Sequence, residues 1–106
     1  MVRVARSVTR YNIGVIASFR HKGLERLYRT GSTRGIQVEH AKKLARVLAA
    51  LDAAKEPADL NLPGFRLHQL KGNLQGHWSI WVNANWRVTF RFVGNDVELV
   101  DYLDYH

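Results

Sequence analysis

The stretch HWSIWVNANWRVTFRFVGNDVELVDYLDY, residues 77 to 105, decides the fold of this 106-residue chain. A strand is predicted over Trp86 to Val93, because apolar and polar residues alternate from Trp86 to Phe92, which is typical of a β-strand with one buried face. Two more strands are predicted over His77 to Val82 and Val97 to Tyr105. Asn83-Ala84-Asn85 and Gly94-Asn95 are the turns between them. The stretch therefore predicts consecutive antiparallel strands.

Two helices are predicted upstream of this stretch. Lys22 to Thr30 carries apolar residues with helical spacing, and Gly31 is placed to end that helix. A longer helix is predicted from Gln37 to Ala54. Its expected apolar stripe consists of Val38, Ala41, Leu44, Ala45, Leu48 and Leu51. Short strands are predicted at Val15 to Phe19 and Phe65 to Leu70. The order β-α-α-β-β-β-β predicts an α+β fold with two N-terminal helices packed on one face of an antiparallel sheet.

The charge of the chain is unevenly distributed. The formal net charge is +7, and residues 1 to 46 hold eleven Lys and Arg residues against two acids. Such a basic half suits a polyanion such as RNA or an acidic protein partner. The alternative is a solvated helical surface that keeps the protein soluble. The chain has no cysteine, which excludes disulfides and thiolate metal sites and is compatible with a reducing cytoplasm. It shows no export signal or membrane-spanning stretch.

The sheet face opposite the helices is the first feature that indicates a functional site. The strand pattern places Arg87, Thr89 and Arg91 there, with Trp81 as a possible neighbour. Cleavage of RNA at a 2′-hydroxyl requires proton donors and acceptors, together with cations for the extra charge on phosphorus. The proton transfers can be performed by histidine, tyrosine, lysine and carboxylate side chains. The positive charge can be supplied by arginine and lysine. The candidate catalytic residues are Lys71, Arg87, Asp104, Tyr105 and His106.

Each candidate also has a structural explanation. Lys71 could be an ordinary loop lysine, Arg87 could pair with an acid across the sheet, and the last three residues could be a frayed terminus. His68, His77, His106 and Asp104 could be imagined as metal ligands. None of them shows a tight ligand spacing, so we expect neither a metal nor another cofactor.

Four segments resemble the HigB branch of the RelE/ParE toxin superfamily. Ser18 to Leu24 resembles an opening S-F-x-x-K-G-L run, and Leu70 to Ile80 resembles L-K-G-x-x-x-G-x-W-S-I. Asn83 to Phe90 resembles N-x-x-W-R-(I/V)-x-F, and Asp101 to His106 resembles a closing Y-x-D-Y-H. The resemblance covers about residues 15 to 106, with the four segments in the same order. It implies a microbial-RNase-like RelE/ParE fold.

The resemblance also implies a function. It implies a ribosome-dependent mRNA endoribonuclease that cuts in the A site without a metal and so inhibits translation. Lys71 and Arg87 would contact phosphate and the transition state. Asp104 and His106 would be proton-transfer or orienting residues, and Tyr105 would stack on or position the substrate. His68, Asn85, Trp81 and Arg91 are further substrate-binding candidates. The implied partners are a HigA-like helix-turn-helix antitoxin, the 70S ribosome and mRNA, with operator DNA bound only through the antitoxin. No membrane is implied.

Two other functions remain open from the sequence. A ParE-like toxin of the same fold would inhibit DNA gyrase without cutting RNA, and an inactive remnant would only bind RNA. Residues 1 to 14 precede the family-like start. They add Arg3, Arg6 and Arg10, and they are expected to form a flexible basic extension or to lie upstream of the natural start. The toxin domain is expected to span residues 15 to 106.

Overall fold

The computed structural model describes residues 16 to 105. It contains helices α1 (Lys22–Thr30) and α2 (Ala41–Ala53) and strands β1 (His68–Gln69), β2 (His77–Asn83), β3 (Trp86–Val93) and β4 (Asp96–Asp104). The strands form one antiparallel sheet in the order β1-β2-β3-β4. The predicted α+β class, with two helices and an antiparallel sheet, is therefore confirmed. Within residues 16 to 105, no helix has the length and apolar content needed to cross a membrane.

Helix α1 begins and ends where the sequence predicts. His21 has extended backbone, and its Nδ1 accepts a hydrogen bond from the Leu24 N–H at 3.0 Å. This bond satisfies one of the amide donors that a helix N-terminus leaves free. Gly31 ends the helix in the left-handed conformation, with φ of 79°, and its N–H donates to Leu27 O. A residue with a Cβ adopts that conformation less easily, which explains the glycine.

The second helix is shorter than predicted, and its buried side differs. A 3₁₀ turn at Val38–His40 precedes α2, and Val38 is 69% exposed, outside the core. Ala45 is also exposed, whereas Val47 is fully buried and was missed. The expected stripe was wrong at Val38 because the change from 3₁₀ to α geometry alters which residues share a face. It was wrong at Ala45 because α2 buries the face that carries Leu44, Val47 and Leu51.

The core lies between the helices and one face of the sheet. Its members are mostly aliphatic, with Phe65, Phe90 and Tyr102 as the aromatic ones. Side chains from α1 and α2 pack there with alternate residues of the three long strands, namely Leu24, Leu27, Leu44, Val47, Leu48, Leu51, Ile80, Val82, Val88, Val97 and Val100. At about 25 cal/mol per Å² of buried apolar surface, this contact provides most of the driving force for folding.

Two predicted strands take different forms. Phe65 to Leu70 is regular only at His68–Gln69, because Arg66 has a positive φ of 48° and turns the chain before the strand begins. In the segment predicted as a strand from Val15 to Phe19, Val15 lies outside the described residues, and Ile16 and Phe19 form isolated parallel bridges to β4. The β3–β4 pairing contains a bulge between the two residues of β4 that form these bridges, and Leu99 in this bulge has φ of 56°.

Candidate functional site

A pocket of about 260 Å³ opens on the sheet face opposite the helices. It lies where β1, β2 and β3 meet the C-terminal residues of the described chain. The lining residues are Arg66, His68, Leu70, Ser79, Trp81, Arg87 and Tyr105. The pocket therefore combines two cationic side chains with an imidazole, a phenol, a hydroxyl and an indole.

The turn between β2 and β3 holds two of these side chains in place. The Ala84 carbonyl oxygen accepts hydrogen bonds from Arg87 Nη1 at 2.9 Å and from Trp81 Nε1 at 3.1 Å. Arg87 Nη1 also donates to the Trp86 carbonyl at 3.1 Å. Ala84 has a positive φ of 50°, which allows the tight turn. The guanidinium and the indole are thus anchored to one backbone feature.

Arg87 keeps its positive charge available. Its cross-strand neighbours are Trp81 on β2 and Leu103 on β4, neither of which is acidic. Within residues 16 to 105 the guanidinium takes part in no ion pair. Pairing with a cross-strand acid, the structural explanation considered for Arg87, does not occur in this part of the chain. The Nε and Nη2 donors, which these bonds to the turn do not use, can bind an anion in the pocket.

The C-terminal strand brings Tyr105 to the same pocket. Its backbone N–H donates to the Asn85 carbonyl at 2.8 Å, so the β2–β3 turn also positions the end of the described chain. The Tyr105 side chain is 46% exposed and lines the pocket, as does His68 on β1. Asn85 contributes this backbone contact to the arrangement. His68, opposite Ser79 on β2, is the one histidine among the pocket residues.

Lys71 lies beside the pocket. It precedes the 3₁₀ turn at Gly72–Leu74 and lines a neighbouring depression of about 350 Å³ with Gln69, Leu70 and Gln75. Leu70 belongs to both depressions, and its N–H donates to His77 O at 2.9 Å. An extended substrate that reaches both depressions could contact Lys71 and Arg87 together.

Asp104 lies on the other side of β4 from Tyr105. It is the register partner of Trp86, whose ring packs on Tyr102 in the helix-side core with 4.5 Å between ring centroids. Burial raises the pKa of Tyr102, a hydrogen bond from the Gln37 N–H opposes this, and the charges of Glu39 and Asp104 raise it further. Asp104 is therefore close to the helix side and does not line the pocket that Arg87 and Tyr105 share.

The remaining predicted residues are placed as follows. Arg91 forms an ion pair with Glu98 on β4, through Nε at 2.7 Å and through Nη2, and it does not line the pocket. Thr89 was expected on an exposed face, but it is only 2% exposed, with Ser79 on β2 and Asp101 on β4 as its register partners. His106 lies outside the described residues, as do residues 1 to 14.

The sequence reasoning missed Arg66 and Ser79. The Arg66 guanidinium carbon lies 4.2 Å from the Trp81 ring centroid, a cation–π distance. Arg66 reaches the pocket because of its positive φ, which apolar periodicity does not reveal. Ser79 is 5% exposed and could have been found from the strand alternation, since it lies two residues before Trp81 on the same face.

The pocket chemistry suits a phosphodiester. Arg66 and Arg87 can bind non-bridging oxygens, and His68 and Tyr105 can exchange protons. Trp81 offers an aromatic surface near the same anion position. Within residues 16 to 105, no group of three His, Asp or Glu side chains is arranged to hold a metal ion.

Comparisons with known proteins place the chain among toxins of type II toxin–antitoxin systems. Residues 17–106 match the model of a HigB-like toxin family, described as the RelE-like toxin of the type II toxin–antitoxin system HigB. The chain is 44% identical over 92 residues to the Endoribonuclease HigB of Proteus vulgaris, covering 87% of this chain and all of that protein. It is 40% identical over 92 residues to the Toxin HigB-1 of Vibrio cholerae serotype O1, covering 83% of this chain and 94% of that protein.

Proposed function

Because this chain belongs to the HigB-like family, the RelE-like toxins of type II toxin–antitoxin systems, we propose that it is an endoribonuclease that cuts mRNA. Cleavage takes place in the ribosomal A site and inhibits translation. The toxin acts in the cytoplasm, where a HigA-like helix-turn-helix antitoxin neutralises it. The toxin is bound to operator DNA only through this antitoxin. Residues 15 to 106 form the toxin domain, and residues 1 to 14 are an extension of it.

The observation that carries this proposal is the position of Arg87. Its guanidinium is fixed by two backbone carbonyls, has no acid partner within residues 16 to 105, and lines a pocket with His68 and Tyr105. An arginine held in this way needs little reorganisation when negative charge develops on phosphorus. Such preorganised groups commonly contribute about 10²- to 10³-fold to the rate.

The reaction is an attack by the 2′-hydroxyl oxygen on the adjacent phosphorus. The new O2′–P bond forms as the P–O5′ bond breaks, which leaves a 2′,3′-cyclic phosphate and a free 5′-hydroxyl. A base takes the proton from O2′, and an acid gives a proton to O5′. Arg87 and Lys71 stabilise the phosphorane charge, so this chemistry can proceed without a metal. His68 and Tyr105, which line the pocket, exchange these protons, and Asp104 and His106 assist the proton transfers or orient the reacting groups.

The substrate is held by groups around the same pocket. Trp81 and Asn85 contact the nucleotide beside the scissile phosphate, and Arg66 adds a second cation. Because Arg91 is paired with Glu98, its positive charge is partly neutralised, and its contribution to RNA binding is small.

The test is primer extension on a defined mRNA in a reconstituted translation reaction. We compare the protein as it stands with Arg87→Ala and with Arg29→Ala, which removes the same charge from an ion pair on the α1 surface. We expect new mRNA ends inside A-site codons, and only when ribosomes are present. Their yield should fall by about 10²-fold or more with Arg87→Ala and should be unchanged with Arg29→Ala. Inhibition of purified DNA gyrase without RNA cleavage would refute the proposal and favour a ParE-like activity.

A further inference from the structure

Lys43 and Arg46 on α2 lie beside the pocket residue Arg66, and neither of these two has a role in the chemistry proposed for the pocket. We call Lys43, Arg46 and Arg66 the basic cluster. Lys43 Nζ lies 4.9 Å from the Trp81 ring centroid and 5.7 Å from that of Phe65. The Arg46 guanidinium is 5.8 Å from the Phe65 centroid. Residues from α2 and from the turn before β1 therefore meet on two adjacent aromatic rings.

The three charges repel one another. Partial burial lowers the pKa of Lys43, and the positive charges of Arg46 and Arg66 lower it further. Within residues 16 to 105, no member of the cluster forms an ion pair, and residues 1 to 15 contain no Asp or Glu. Lys43 is nevertheless held in place, because its Nζ donates to the Gly64 carbonyl at 2.9 Å. A bound polyanion would remove this repulsion.

The basic cluster is continuous with the pocket. Arg66 and Trp81 line the pocket, and the same indole ring is in contact with both Arg66 and Lys43. A phosphate bound at Arg87 is therefore followed, along the surface, by a second cationic position on an aromatic support. Single-stranded nucleic acid is bound by surfaces that combine cations along its backbone with aromatic rings.

We propose that Lys43, Arg46 and Arg66 form a phosphate subsite that holds the backbone of the single-stranded RNA substrate beside its scissile phosphate. The inference rests on the proposed function, because it assigns the subsite to the strand that is cut. Arg66 takes part in both sites, whereas Lys43 and Arg46 contribute to binding alone. Their loss is expected to weaken RNA binding and leave the rate of the chemical step at saturation unchanged.

The probe is a single-stranded RNA hexanucleotide with a 2′-deoxy residue at the cleavage position, so that it binds without being cut. Fluorescence anisotropy measures its affinity for the full chain across a range of salt concentrations. The test variant is Lys43→Gln with Arg46→Gln, and the matched control is Lys42→Gln with Lys55→Gln. Lys42 is next to Lys43 but lines the groove between α1 and α2, and Lys55 is exposed after α2. Both double variants lose two positive charges from the same region of the chain.

Counterion release sets the expected size of the effect. Each phosphate contact to a single strand contributes about 0.7 to the slope of log affinity against log salt. Loss of two contacts therefore reduces the slope by about 1.4, which corresponds to about 25-fold weaker binding at 0.1 M salt when the two proteins are compared at equal affinity in 1 M salt. The Lys42→Gln, Lys55→Gln variant should keep the original slope. In the translation reaction, the cluster variant should need more mRNA-programmed ribosomes for half-maximal cleavage, at an unchanged maximal rate.

Several results would overturn the inference. One is an equal salt slope for the two double variants, and another is no measurable binding of the hexanucleotide by the parent protein. A third is that the cluster variant loses as much affinity for ribosomes without mRNA as for the hexanucleotide, which would assign the cluster to ribosomal RNA. A loss of antitoxin affinity alone would assign it to a protein partner. Failure of the proposed function looks different: the parent protein would not cut mRNA, while cluster-dependent binding of the deoxy probe persisted. Urea unfolding of each variant verifies that it is folded.

Discussion

Replacement of Gly23 by alanine tests the packing between α1 and the connector that follows it. Gly23 is buried in the first turn of α1, directly against the backbone of Gly35. A Cβ at Gly23 would lie 2.7 Å from the Gly35 carbonyl oxygen and 2.9 Å from its carbonyl carbon. Both distances are shorter than van der Waals contact, and both atoms belong to the backbone, so no side-chain rotation can relieve them.

Two effects of opposite sign compete in this variant. Alanine is a better helix former than glycine by about 1 kcal/mol, which would stabilise an isolated α1. Insertion of a methyl group into a tightly packed site costs about 1–3 kcal/mol. Gly35 has φ of 88°, which limits how its backbone can move in response. The steric cost should exceed the helix gain, and the difference between the two is a net loss of up to about 2 kcal/mol in the free energy of unfolding.

Urea unfolding followed by tryptophan fluorescence measures this loss. A loss of 1 kcal/mol should lower the melting temperature by about 4–8 °C in a domain of this size. The control is Ala49→Gly on the exposed side of α2, which should cost about 1 kcal/mol through helix propensity alone. If Gly23→Ala raised the free energy of unfolding, the close approach to Gly35 would be refuted as a constraint on the fold.

Three further predictions concern histidines. Tyr102→Phe removes the hydroxyl that lies 2.7 Å from Nδ1 of buried His40, so a loss of about 1–3 kcal/mol is expected in urea unfolding, and an unchanged midpoint would contradict it. Burial lowers the pKa of His21, and the charge of Asp101 partly opposes this. The folded protein therefore binds this proton less readily than the unfolded chain. The stability that neutral His21 contributes is complete above a pH of about 6.5 and is lost as the pH falls below that value. His21→Ser keeps a helix-capping side chain and should weaken the fall in stability between about pH 7 and pH 5; an identical pH profile would exclude this role. His77→Leu should raise the free energy of unfolding by about 1 kcal/mol, because neither ring nitrogen of buried His77 has a hydrogen-bond partner within residues 16 to 105, and a lower melting temperature would count against this.

The candidate site could be predicted only in part. Arg87 and Trp81 follow from strand alternation and from the predicted turn at Asn83-Ala84-Asn85, which are local patterns. The participation of Arg66 could not be predicted, because it depends on a positive φ that the surrounding structure stabilises. The alternation of side chains along β4 also separates Asp104 from Tyr105, although the two are adjacent in the sequence.

The sequence by itself determined the first helix, the two long hairpins and the α+β class. Each of these depends on hydrogen bonds and apolar periodicity within a short segment. Only the tertiary structure decided that Val47 is buried in place of Val38, that Ile16 and Phe19 pair in parallel with β4, and that α2 brings Lys43 to the Trp81 ring. These features join residues distant in the chain, and their free energy arises from packing and electrostatic contacts that exist only once the helices lie on the sheet.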